Sequence, residues 1–182
     1  PIAAASFTTQ PSTSTLGGQA FGTQPAIQVV DAGGNVVTGS SATITLQITS
    51  ASDSNAQISA GTSMSLVITV SSGVADFASQ AVSIDLIGSY TLKAACIEGD
   101  ISFFSSVSDT ITVTADSAVA SISFNQLSLA GSGGTALAQQ PIIHLLDSGG
   151  NIAISNKVVT LTVTTAPTDG AMTWYQTASG TT

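Results

Sequence analysis

Residues 17–35 read GGQAFGTQPAIQVVDAGGN, and residues 133–151 read GGTALAQQPIIHLLDSGGN. Aligned from Gly17 on Gly133, the two stretches share Gly17/Gly133, Gly18/Gly134, Ala20/Ala136, Gln24/Gln140, Pro25/Pro141, Ile27/Ile143, Asp31/Asp147, Gly33/Gly149, Gly34/Gly150 and Asn35/Asn151. Upstream, Ser6-Phe7 matches Ser123-Phe124; downstream, residues 42–50 (ATITLQITS) match residues 157–165 (KVVTLTVTT) with a one-residue shift. Self-similarity at a long fixed period marks a repeat architecture. The chain therefore reads as one whole repeat, residues 1–115, followed by the front part of a second, residues 116–182. The second lacks counterparts of residues 63–114. Its core is expected to be closed by downstream residues or by strands of another chain.

Outside these stretches the hydrophobic pattern has period two. Ala42, Ile44, Leu46 and Ile48 alternate with Thr43, Thr45, Gln47 and Thr49, as in a half-buried strand. Val159, Leu161 and Val163 repeat that pattern, and Met64, Leu66, Ile68 and Val70 form a further strand. Tyr90, Leu92, Ala94 and Cys96 face one way, with Thr91, Lys93 and Ala95 on the other face. Ile111 and Val113 sit among threonines. Turn signals fall between the strands at residues 31–35, at Ser71-Ser72-Gly73 and at Glu98-Gly99-Asp100. About seven short strands in the first repeat and no helical periodicity predict an all-β fold of sandwich type.

Composition narrows the function classes. Two Lys, no Arg and ten acidic residues give a net charge of −8 and a pI of about 4.1. Nucleic acid and anionic membrane surfaces are poor partners for a chain without a basic face. No apolar run approaches the ~20 residues that span a bilayer, so membrane insertion by this segment is not expected. The hydrophobic content of 43% drives collapse rather than disorder. The outer surface is instead supplied by 28 Ser and 25 Thr. Lysines usually blunt exposed strand edges. Their near absence, with a mean hydropathy of +0.44, points to lateral burial against neighbours in a polymer. Ser/Thr-rich stretches, residues 8–15 and 102–114, are candidates for O-linked glycans, whereas no Asn-x-Ser/Thr sequon occurs.

The segment Asp85-Leu86-Ile87-Gly88-Ser89-Tyr90-Thr91-Leu92 resembles the tyrosine corner of immunoglobulin-like domains, in which a Tyr entering a strand bonds back to upstream backbone. Leu92 stands where antibody domains carry their second cysteine, with Ile27 or Val29 as its partner across the core. Together with residues 24–35 (QPAIQVVDAGGN), residues 72–77 (SGVADF) and residues 88–94 (GSYTLKA), this resembles the bacterial-type immunoglobulin-like repeats of large surface adhesins and invasin-like proteins. Filamin-type immunoglobulin repeats look similar in the last two stretches. The resemblance implies tandem immunoglobulin-like β-sandwich domains, the second incomplete, and a rod segment with no catalytic residues to carry over.

Each chemically notable residue also has a purely structural reading. His144 is the sole histidine, flanked by Ile143 and Leu145, and no second His or Arg exists to build a catalytic triad or zinc site around it. It reads as a surface strand residue. The single Cys96 reads as a small buried hydrophobe. Asp31 and Asp147 open two Asp-x-Gly-Gly-Asn loops, where short Asx side chains bonding local backbone are enough to explain the motif. A second reading brings Asp147 and Asn151 near the linker residue Asp116, as oxygen donors for calcium. Trp174 and Tyr175 are either packed or an exposed pair that binds a sugar or a partner.

The expectation is a non-enzymatic, extracellular or cell-surface segment serving as shaft or stalk of a filament or long adhesin. Linker residues 114–117 (TADS) limit bending, and the partners are neighbouring repeats and other copies of the same chain. No cofactor is expected beyond the calcium candidate. The alternative is a receptor- or glycan-binding adhesin module centred on Trp174.

Overall fold

The computed structural model describes residues 1–58, 65–99, 101–105, 107–126, 131–132 and 134–162. In the first repeat the strands are β1 (Ala4–Thr9), β2 (Ser14–Leu16), β3 (Ala26–Val30), β4 (Thr43–Ala51), β5 (Ser65–Thr69), β6 (Val74–Asp76), β7 (Gly88–Glu98), β8 (Ile101–Phe104) and β9 (Ile111–Thr114). The second repeat contributes β10 (Ser121–Gln126) and β11 (Ile142–Leu146). The one helical element among the described residues is a 3-10 turn, Ala78–Gln80. The protein is all-β.

Two sheets share one core in the first repeat. A three-stranded sheet runs β1-β3-β6, and a six-stranded sheet runs β2-β9-β7-β4-β5 with β8 added beside β7. The alternation in β4 and β7 does what the sequence predicts. Ala42, Ile44, Leu46, Tyr90, Leu92, Ala94 and Cys96 are buried, and they join Ala5, Ile27, Val29 and Ala75 of the other sheet in a single cluster. Apolar side chains from facing sheets removed from water in this way supply the main folding force. The arrangement is compatible with a β-sandwich. Leu92, Ile27 and Val29 are all fully buried in this cluster.

Local chemistry sets the ends of the strands. Ser71 and Val74 exchange backbone hydrogen bonds at 2.9 and 3.0 Å across a two-residue turn, with Ser72 at φ 51° and Gly73 at φ 83°. Two left-handed residues in succession give the hairpin turn whose twist matches its strands. The Tyr90 hydroxyl donates to the Ile87 carbonyl at 3.2 Å, the bond back to upstream backbone that a tyrosine corner would make.

Nine strands rather than about seven occur among the described residues of the first repeat. The additions are β2, three residues that pair in parallel with β9, and β8, which folds back on β7 from Gly99. Neither is long or regular enough to show an alternation. On the edge of β7 away from β4, no strand pairs with Leu92 and Ala94 between the β9 and β8 ladders, and two serines fill the gap. Ser108 Oγ accepts from the Leu92 amide and Ser105 Oγ from the Ala94 amide, both at 2.9 Å, while the serine amides donate to the Leu92 and Ala94 carbonyls at 2.8 Å. Both serines are buried. Within this candidate stretch for O-linked sugar, these two hydroxyls are therefore unavailable, whereas Ser102, Thr110, Thr112 and Thr114 are exposed.

The second repeat reproduces the first strand pair in register. Ala5↔Val29 and Phe7↔Ile27 correspond to Ile122↔Leu145 and Phe124↔Ile143, and both pairs carry a register shift just after the Phe. The apolar face differs in its cover. Ile27 and Val29 are 0% exposed, but Ile122 is 58% and Phe124 55% exposed, because no opposing sheet occurs among the described residues of this repeat. The strand expected at residues 157–165 is likewise not formed over its described part, residues 157–162. Its counterpart β4 is held between β5 and β7, and the described second repeat offers no equivalent of either.

Candidate functional site

The structural feature that joins the two repeats is the second Asp-x-Gly-Gly-Asn loop. Its internal wiring follows from residue type. Asp147 Oδ1 accepts from the amides of Gly149 and Asn151, each at 2.9 Å, and from Asn151 Nδ2 at 3.1 Å. The Asp147 amide donates to the Asn151 carbonyl at 2.9 Å, and Gly150 takes the left-handed conformation at φ 86°. A short carboxylate and glycine freedom thus close the turn. The first loop is wired the same way, with Asp31 Oδ1 accepting from the amides of Gly33 and Asn35 at 2.9 Å and from Asn35 Nδ2 at 3.2 Å. These bonds, those from Asn35 first, hold the Asp31 carboxyl below its ordinary pKa.

What distinguishes the second loop is its surroundings. Asp147 is 2% and Asn151 7% exposed, whereas Asn35 is exposed and Asp31 only partly covered. The covering comes from the far end of the first repeat. Asn151 Nδ2 donates to the Asp85 carbonyl at 2.8 Å, and the Ile87 amide donates to Asn151 Oδ1 at 2.9 Å. The Ser148 hydroxyl donates to the Gly17 carbonyl at 3.0 Å and accepts from Gln19 Nε2 at 3.2 Å.

The seat is built by a tight turn backed onto the chain before the tyrosine corner. Gly18, at φ 72°, donates its amide to the Ile84 carbonyl at 2.9 Å, and Gln19 donates to Leu16 at 3.0 Å. Asp85 Oδ1 accepts from the amides of Gln57 and Leu86 at 2.6 and 2.8 Å, which leaves its carbonyl facing Asn151. The fit leaves no room for side chains. A Cβ on Gly17 would overlap Asn151 Nδ2, one on Gly18 would lie 2.7 Å from the Gly149 amide nitrogen, and one on Gly149 would overlap the Asp85 carbonyl.

The linker is fixed at the same place. Gly17 donates its amide to the Thr114 carbonyl at 2.9 Å, Asp116 donates to Asp147 Oδ2 at 3.1 Å, and Ile154 donates to the Asp116 carbonyl at 3.0 Å. Asp116, Asp147 and Asn151 are thus brought together as the sequence proposed, but as a hydrogen-bonded joint. Every carboxylate or carbonyl oxygen just named, and Asn151 Oδ1, faces an N–H hydrogen, whose positive end opposes a cation. Calcium takes 6–8 oxygen ligands, and binding it here would have to displace these N–H donors. Among the described residues no group of three or more His, Cys, Asp or Glu is placed to hold a metal ion.

The remaining candidates lie apart from the joint. His144 is half-buried in β11, opposite Ser123. Cys96 is a free, buried thiol in β7, and burial followed by the nearby Glu98 charge pushes its pKa up. Trp174 and Tyr175 lie outside the described residues. No helix among the described residues is long and apolar enough to cross a membrane. Sequence reasoning did not assign Gly17, Gly18, Asp85 and Ile87 to a binding surface. The signal present was the Gly-Gly pair, which recurs at Gly133-Gly134 together with the loop it receives. Comparison with protein-family models, curated proteins and solved structures finds no match for this chain.

Proposed function

We propose that this chain is a segment of a structural shaft or stalk, built from tandem immunoglobulin-like β-sandwich repeats, in an extracellular surface filament or long adhesin. The observation that carries the reading is the seating of the loop at residues 147–151 on Gly17, Gly18, Asp85 and Ile87. A joint made of glycines without Cβ space and of side chains spent on backbone groups serves geometry rather than chemistry. Repeats held at a fixed angle by neighbour contacts are how a rod sets its length and direction. The tyrosine corner at Tyr90 and the aliphatic core at Leu92 support the immunoglobulin-like assignment. The Ser/Thr-rich surface and the near absence of lysine, which usually blunts strand edges, support lateral association with other copies in a polymer.

Two measurements test this. Residual dipolar couplings from both repeats are expected to fit one alignment tensor, and two independent tensors would overturn a shaft. Antibody against the chain is expected to label filaments or stalks on intact source cells; labelling that appears only after permeabilisation would overturn the surface assignment.

A further inference from the structure

We propose that the first loop, residues 31–35, is a second docking key, and that its partner is the Gly-Gly seat of a further repeat of this same kind placed ahead of it. The inference rests on the tandem reading above and adds the residues and the occupant of a surface that the chain leaves open.

The two loops agree in sequence at Asp31/Asp147, Gly33/Gly149, Gly34/Gly150 and Asn35/Asn151. They also agree in backbone. Isolated bridges Val30↔Val36 and Leu146↔Ile152 close them, and Val37 donates to Val29 as Ala153 donates to Leu145. Their positions relative to the repeat agree as well. Ala3 donates to the Val30 carbonyl as Ala120 donates to Leu146, so each loop lies at the entry end of its repeat.

Two features of the first loop match what a seat requires. Gly33 is not among the left-handed glycines, so its conformation does not demand glycine. A Cβ there would meet only Asn35 Nδ2 at 3.0 Å and Asp31 Oδ1 at 3.3 Å, within its own loop. At the seated loop, by contrast, the equivalent Cβ on Gly149 would collide with the Asp85 carbonyl and lie 2.8 Å from the Gly17 carbonyl carbon. The bare position therefore matches what a seat requires. The second feature is Asn35. It is exposed, and its Oδ1 accepts no hydrogen bond among the described residues, whereas Asn151 Oδ1 receives the Ile87 amide. Asn35 thus presents one acceptor and one donor in the arrangement that an amide at an Ile87-like position and a carbonyl at an Asp85-like position would satisfy. Ala32 replaces Ser148, so the bond from the Ser148 hydroxyl to the Gly17 carbonyl has no counterpart, and the Asn35 pair carries the polar contact.

The test joins residues 1–117 directly ahead of Pro1 of the full chain, which reproduces the linker length between Thr114 and Ala120. Asn35 side-chain amide hydrogens of the original first repeat are expected to exchange about tenfold more slowly than in the unextended chain. Both joints are expected to share one alignment tensor, and Asn35→Ala is expected to release the new joint alone. Unchanged Asn35 exchange with an independently aligned added repeat, while the original joint stays rigid, overturns this proposal and leaves the shaft reading standing. Independent alignment at the original joint instead overturns the shaft reading, and the proposal with it.

Discussion

The Ile87 amide nitrogen donates to Asn151 Oδ1, 2.9 Å away and 64 positions along the chain. The Ile87 carbonyl, on the other side of the same residue, receives the Tyr90 hydroxyl. A motif that closes the core of the first repeat therefore also presents the backbone that holds the second. The bond that closes the turn before Tyr90 and a bond that holds the second repeat thus meet at one residue, Ile87.

Asn151→Ala removes both side-chain bonds across the joint. Ile87 is partly exposed, so water replaces the lost partner and the cost falls near the lower end of the range for a hydrogen bond, about 1 kcal/mol. The thermal midpoint of the first repeat is expected to stay nearly constant while protease cleavage at residues 115–118 accelerates. A drop in the midpoint with no change in linker cleavage would contradict the assignment.

Gly149→Ala and Gly33→Ala form a matched pair. The first drives a Cβ into the Asp85 carbonyl and is expected to unseat the joint; the second meets only its own loop and is expected to leave the orientation of the repeats unchanged. Residual dipolar couplings read the difference directly. Equal effects from the two substitutions would mean that local turn strain, not docking, accounts for the glycine.

Ser108→Ala leaves the buried Leu92 amide without an acceptor, which costs about 1–3 kcal/mol. Thr112→Ala, on the exposed face of β9, is expected to change stability by less than ~0.5 kcal/mol. Urea midpoints of the two variants should separate accordingly.

These serines also mark where sequence reading stops. Alternation placed Leu92, Ala94, Ile44 and Leu46 in the core correctly, because burial on one face of a strand forces period two. A Ser/Thr-rich stretch looks like a solvated surface, and only the missing ladder beside β7 turns Ser105 and Ser108 into backbone acceptors. The joint was half legible. Repetition drew attention to Asp147 and Asn151, and both lie near Asp116, yet Asn151 is held by the Asp85 carbonyl and the Ile87 amide, and the Gly17 carbonyl is taken by the neighbouring Ser148. Main-chain groups are the same at every position, so no residue type announces them. The expected strand at residues 157–165 shows the converse. A strand pattern needs neighbours to pair with, and pattern alone does not supply them.

Cys96 gives a pH signature. Its pKa is raised above the ordinary 9.0 by burial, so below pH 9 both folded and unfolded thiols are protonated and the group is neutral to stability. As pH rises past 9, the unfolded thiol ionises while the folded one resists, and stability falls through that window. Tyr90, raised from 10.0 chiefly by burial, adds a loss of the same sign at higher pH. Urea midpoints are expected to decline between pH 9 and 10 in the native chain and to stay flatter there in Cys96→Ala. An identical slope in both would contradict the burial argument.

The parallel pairing of β2 with β9 has a mechanical consequence. The chain leaves the first repeat from Thr114, and Ser14↔Thr112, Thr15↔Val113 and Leu16↔Thr114 run side by side in the same direction up to that exit. Tension applied through the linker loads these rungs in shear, all at once, instead of peeling them apart in turn. Single-molecule extension should record one abrupt high-force rupture for this repeat, and a gradual low-force opening would show that the load takes another path.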